Sequence, residues 1–378
     1  MLKRAFFVAI LSVLNILFLP TINGQLTRGF DHNAQNHADS SHKNGNHLHS
    51  HSHAHDHDEE HPTENSAFDP NRPFSLLGKE WKNNQEFITS GARCGSHHSI
   101  EQKFTTEKLL KDYRSKVKLL LAPPSPNIEI ETYIHIIMDE NGKGAITDEM
   151  VQDQMKVLND AYGGRPTTFG DVCGFSVPPS GVNTEFSFKL MGTTRTKNST
   201  LFHAWNTKLE REMKALLRKG DCSTLNIYYN DGGGWLGYST FPNECSENMN
   251  MDGVVAVFSS VPGSEKNPYD RGFVATHEVG HWLGLYHTFE GSCKDGDGLS
   301  ETPAERSAAS GCPEGRNTCR LNPGDDPIYN FMDYTYDCCM SQFVEGQDSL
   351  MHDFWNMYRG SNSKQILSSL MGETVLIE

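Results

Sequence analysis

The chain carries no cationic excess. Its 33 Lys and Arg stand against 48 Asp and Glu, a formal net charge of −15, which excludes a partnership with nucleic acid or an anionic membrane because neutralising phosphates requires a cationic face. After residue 24 it also lacks any apolar run of the ~20 residues needed to cross a bilayer, so the mature protein is expected to be soluble. Internal repeats are absent, which sets aside solenoids and propellers. Nor is this one small disulfide-stapled module: 378 residues, 36% of them hydrophobic, can bury a sizeable core. Cysteines number nine, and an odd count leaves at least one thiol without an intramolecular partner.

Residues 1–24 open with Lys3 and Arg4, continue apolar from Ala5 to Leu19 and break at Pro20, the layout of a secretory signal peptide. A membrane anchor is the alternative, but the run is shorter than the ~20 residues a span needs, so cleavage near Gly24 and a secreted, extracellular product are expected. Cysteine usage fits an oxidising compartment, as does the glycosylation sequon at Asn198. Residues 25–67 are polar and rich in histidine, with alternation at His49, His51, His53, His55 and His57. Such a segment cannot offset its ordering entropy by burial and is expected to be disordered. Two readings of it fit, a weak zinc or copper site and a solvated, pH-sensitive spacer.

Ordinary composition resumes at 68. Residues 68–126 read as a pro-segment and connector, with helical character over 104–121 ended by Pro123-Pro124. In 127–378, alternation and apolar runs predict strands over 128–138, 186–190, 224–229 and 253–258, and helices over 147–162 and 205–217. Strands and helices therefore interleave ahead of the stretch that carries the chemistry.

That stretch is Thr276-His-Glu-Val-Gly-His-Trp-Leu-Gly-Leu-Tyr-His287. Residues four apart share a helix face, so His277 and His281 can converge on one ion. Gly284 lets the helix end in a left-handed turn that presents His287 as third ligand. Three neutral imidazoles leave one position for water, whose pKa a zinc ion lowers towards ~7. Glu278, beside the ligands, is placed to act as general base and then general acid on a peptide bond. A structural zinc site usually has four protein ligands, commonly including cysteine, and this motif supplies three histidines.

With these residues the sequence resembles the metzincin clan and, within it, the pappalysin family, including its secreted fungal and microbial members. Asn330-Phe-Met-Asp-Tyr334 is similar to the clan's methionine turn. The resemblance implies Met332 beneath the zinc and Tyr334 near the metal or the transition-state oxyanion. It runs from about residue 128 to 340 and implies a secreted, monomeric zinc endopeptidase acting on proteins or peptides. The implied fold is α+β: a twisted mixed five-stranded sheet with helices above a cleft, over a small irregular lower subdomain stapled by Cys293–Cys319 and Cys312–Cys339. Residues 127–378 would form this catalytic domain. The adjacent Cys338 competes for the second bridge; Cys222–Cys245 and Cys173–Cys338 are further pairings. The strand over 253–258 would be the edge to which an extended substrate adds.

Some relatives bind calcium in the lower subdomain, which here points to Asp297, Glu301 and Thr302, with a solvated acidic loop as the alternative. Glu301 stands where the family usually has Asp. Arg93-Cys94-Gly95 resembles the cysteine-switch motif of metzincin precursors, so Cys94 would hold the zinc in a latent zymogen, and otherwise would be bridged. Removal of the pro-segment would then cut between Cys94 and Ile128, with Arg114, Lys116 and Lys118 as candidate sites. Asp337 would line a primed-side pocket favouring Arg or Lys. Two rival readings are a metal-sequestering protein built on the histidine tract and a binding protein using the fold as a scaffold. Glu278 and the complete ligand set argue against the first.

Overall fold

The computed structural model describes residues 69–117, 127–165, 181–205, 208–264 and 267–371, all within one compact unit. The expected leader, the histidine tract and Cys173 lie outside the described residues. Among the described residues, no helix is long and apolar enough to cross a membrane.

The first described segment forms the antiparallel pair β1 (Phe74–Leu76) and β2 (Lys79–Trp81), then α1 (Asn84–Thr89) and α2 (Ile100–Asp112). A capping box between Ser99 and Gln102 starts α2 earlier than the apolar pattern suggests. A π-turn over Tyr113–Val117 follows, and 118–126 lie outside the described residues. Trp81, Phe87 and Tyr113 belong to the principal core, so this segment packs as part of the unit.

The main sheet has the order β4-β3-β5-β7-β6. Its second strand β3 (Ile128–Met138) alternates in burial and then is buried from Ile134 to Ile137, as its sequence pattern predicts. Helix α3 (Asp148–Tyr162) is capped by Thr147 and buries Val151, Met155, Leu158 and Tyr162, one stripe at helical spacing. β4 (Phe186–Lys197) pairs parallel with β3 and runs well past the expected residue 190. As the edge strand it leaves its second half part-exposed and polar, so the apolar pattern fades before the strand ends. Short α4 (Ser199–Phe202) starts on the Asn198 side chain, and α5 (Lys208–Leu217) begins later than expected, leaving Trp205 outside it and 41% exposed.

β5 (Leu225–Asn230) pairs parallel with β3 and is buried at every residue. β6 (Gly237–Ser239), α6 (Pro242–Glu247) and β7 (Val254–Val257) follow. β7 is not the edge strand that the resemblance implied: it pairs parallel with β5 and antiparallel with β6, so β6 is the edge on that side of the sheet. Four consecutive buried apolar residues are what a strand covered on both faces and both sides requires.

Next come the wholly buried helix α7 (Phe273–Trp282) and short α8 (Ser292–Asp295), inside a loop-rich region stapled by Cys293–Cys319 and Cys312–Cys339. Cys222–Cys245 closes a third bridge, and Cys338 is also disulfide-bonded. The chain returns through α9 (Glu345–Phe354) and α10 (Ser363–Met371). Between them Arg359, fully buried, donates to Asp252 and to the Trp282 carbonyl, with its guanidinium 3.6 Å over the Trp282 ring. The C-terminal region thus fastens the last turn of α7.

Candidate active site

Helix α7 is held from both ends. Gln154 on α3 donates to the Gly272 carbonyl before its first turn, and the Tyr162 hydroxyl donates to the Thr276 carbonyl. At the far end Leu285 N donates to Gly280 O (2.9 Å) and Gly284 N to His281 O (2.8 Å), the paired bonds of a Schellman stop. Gly284 has φ +103°, and a Cβ there would lie 2.2 Å from Phe354. The chain reverses at that point and brings His287 back against the helix, as the spacing predicts.

His277 Nδ1 meets Phe331 O at 2.7 Å and His281 Nδ1 meets Leu285 O at 2.7 Å, while His287 Nδ1 lies 3.4 Å from Glu290. Burial depresses all three imidazole pKa values, so the rings are neutral. A neutral ring that donates from Nδ1 turns an Nε2 lone pair inward, the tautomer a metal requires. His281 and His287 Nε2 are 3.1 Å apart, and His277 Nε2 is buried with no hydrogen-bond partner.

Cys94 Sγ completes the group at 3.5 Å from His281 Nε2, and all four ligand atoms lie within 4.8 Å of one another. Tetrahedral zinc with ordinary bond lengths separates two nitrogens by about 3.3 Å and sulfur from nitrogen by about 3.6 Å. The donor set and its spacing therefore fit zinc. Burial, reinforced by the Glu278 charge, pushes the thiol well above its usual range, so Cys94 ionises only against a cation. The fully buried Glu278 is pushed up to about 7 by burial, with Arg93 opposing.

The segment bearing Cys94 lies along β6. Leu236 N donates to Ala92 O, and Gly95 N to Gly237 O, both at 2.9 Å, in parallel register. Gly95 is required because a Cβ there would stand 2.8 Å from the Trp235 ring. Ser96, buried, donates its hydroxyl to Glu278 Oε2 (2.9 Å) and accepts from Ser239 N (2.8 Å). Sequence reading missed Ser96, since an isolated serine in a loop has no period and no motif.

Met332 is buried, and its carbonyl accepts from Thr288 N, one residue past His287. The Tyr334 hydroxyl is 3.1 Å from His287 Nε2. Asp337 is buried, contrary to the usual fate of a loop carboxylate; its Oδ2 accepts from Arg271 N, and burial pushes it up to about 7. Arg93 feels that charge while fully buried over Tyr269 (5.3 Å) and Tyr334 (5.7 Å). Asp297 and Thr302 are buried side by side, whereas Glu301 is exposed and takes a hydrogen bond from Ser300. Asn198, part-exposed, caps α4 through an acceptor oxygen.

The family model described as pregnancy-associated plasma protein-A matches residues 221–356. The chain is 43% identical over 273 residues to extracellular metalloprotease 1 of Coccidioides posadasii and 38% identical over 274 residues to an extracellular metalloprotease of Colletotrichum graminicola. Each alignment covers 70% of this chain and 90% of the relative. Among solved structures, a mutant of Tannerella forsythia promirolysin is similar at 28% identity and a TM-score of 0.58, covering 75% of this chain and 100% of that one. Mature mirolysin in complex with a cleaved peptide is similar at 29% and 0.53, covering 67% and 100%.

Proposed function

The chain belongs to the pappalysin family of metallopeptidases and hydrolyses peptide bonds; we propose that it is a secreted zinc endopeptidase synthesised as a latent zymogen. The observation that carries this reading is the convergence of Cys94 with His277, His281 and His287, which supplies both a catalytic ligand set and its plug. Zinc bound there would acidify water and polarise a substrate carbonyl. Glu278 takes the proton of the attacking water and returns it to the leaving amine. Tyr334, whose hydroxyl lies 3.1 Å from His287 Nε2, would stabilise charge on the carbonyl oxygen.

Latency follows from what residues 92–96 occupy. Cys94 fills the fourth ligand position, Ser96 ties Glu278, and the backbone of 92–95 uses the hydrogen-bonding groups of the edge strand that an extended substrate would need. Buried Arg93, next to Cys94, stands in for a basic primed-side residue, and with buried Asp337 supports a preference for Arg or Lys there. The same reading keeps residues 1–24 as a removed leader, 68–126 as the pro-segment, Asn198 as a glycan acceptor and Asp297 with Thr302 as a calcium site. Calcium would raise thermal stability, and Asp297→Asn would abolish the rise.

Processed protein should cleave a quenched peptide library, lose activity to a chelator and regain it with zinc, and lose it in Glu278→Ala while keeping its metal. A zinc-loaded, processed protein inert on the whole library would overturn the proposal.

A further inference from the structure

Every second side chain from Cys94 meets a different part of the cleft: Cys94 the histidines, Ser96 Glu278, and His98 a slot between two aromatic rings. The first two contacts belong to latency. The third serves neither metal nor base. The His98 ring lies 3.7 Å from the Phe241 ring at 51° and 5.5 Å from Tyr286 at 73°. Its Nδ1 is buried without a hydrogen-bond partner, and the ring meets one wall at a tilt and the other edge-on, so the slot holds it through ring–ring contact.

Both walls of the slot are fixed by the active site itself. Phe241 follows the edge strand, is buried, and lies 5.2 Å from the His281 ring; Tyr286 immediately precedes His287. Lys103 on α2 covers Tyr286 at 4.7 Å, so His98 and Lys103 together shield rings that the processed enzyme would present to its cleft. His98 and Arg93 lie on opposite sides of Cys94 along the segment that pairs with β6 through one bridge. If Arg93 marks the primed side, His98 marks the other.

We propose that Phe241 and Tyr286 form a nonprimed-side subsite that selects a flat aromatic ring in the substrate, a subsite His98 occupies in the latent chain. This rests on the peptidase reading above and adds a specificity to it. Rings stacked in such a slot gain over an aliphatic residue of similar size as well as over alanine. For the processed enzyme, peptides differing only at one nonprimed position should show kcat/KM about 10-fold higher for Phe, Tyr or Trp than for Ala, and several-fold higher than for Leu.

The test scans each nonprimed position with such peptides in wild type, Phe241→Leu and Tyr286→Leu. The ring-to-Ala ratio at one position should fall to within about twofold in Phe241→Leu, while the primed-side preference, measured on the same molecules, persists. Tyr286→Leu provides the second reading should Phe241→Leu not fold. Cleavage that depends on Glu278 but shows no ring preference at any nonprimed position overturns the subsite and leaves the peptidase reading standing. A preference retained in both variants also overturns it, and a library left wholly uncleaved removes both.

Discussion

Replacing Ser96 by Ala should loosen the latch without touching the metal. The hydroxyl is 3% exposed and makes two bonds at once, to Glu278 Oε2 at 2.9 Å and from Ser239 N at 2.8 Å. A hydrogen bond to a charged group contributes about 1.5–3 kcal/mol. In the open form Glu278 and Ser239 meet water, so the loss falls on the closed form alone. At ~1.4 kcal/mol per factor of ten, the open population should rise about 10- to 100-fold. Cys94 reports that population, because it is fully buried and free, so an alkylating agent reaches it only after opening. Zinc–sulfur dissociation is common to both proteins and cancels in the ratio. The assay is the rate of Cys94 alkylation in zinc-loaded full-length chain, followed by peptide mass spectrometry. A Ser96→Ala rate within twofold of wild type, with the fold intact, refutes the view that this hydroxyl holds the pro-segment closed.

Three other outcomes follow from the packing. Arg359→Met removes the nearer of two countercharges to buried Asp252, with Arg218 remaining at 3.7 Å, together with the clasp on Trp282, and should cost about 2–3 kcal/mol in chemical denaturation, below the range for a buried charge left wholly unpaired. Gly284→Ala combines a φ of +103° with a Cβ 2.2 Å from Phe354, so His287 should be displaced and zinc per chain, measured by elemental analysis, should fall well below that of wild type. His352 is desolvated, which opposes its charge, but Asp348 (3.4 Å) and the Thr184 carbonyl (2.9 Å) hold its pKa above the usual value. Its charged form therefore supports the fold fully below pH ~6.5, and that support is lost as pH rises through the folded pKa. The stability gap between wild type and His352→Gln should be larger at pH 5.5 than at pH 8.5; a gap that widens towards alkaline pH contradicts the assignment.

The convergence of His277, His281 and His287 was legible because its geometry is local: two histidines on one helix face, a glycine at the stop and a third histidine just past it. Strand β3 and α3 were legible for the same reason, since burial imposes a period on the residues themselves. β6 was not, because a three-residue strand of Gly, Tyr and Ser carries no period and its edge position depends on pairing with β7. The buried state of Asp337 was equally invisible, and Arg359 reaches Asp252 across 107 residues. Contacts of that kind follow from the assembled fold and leave no local pattern.

An active site is a set of groups left unsatisfied by its own fold: an open ligand position, a buried carboxylate, an unpaired sheet edge and a buried acid under a pocket. Each costs stability in isolation. In this chain, residues 92–96 lie against three of them: sulfur beside the three histidines, a hydroxyl on Glu278 and backbone on β6. On the proposed reading, latency and specificity share one set of contacts. A substrate of the processed enzyme would then have to satisfy the same groups, and the side chains from Arg93 to His98 would describe, in negative, what the cleft accepts.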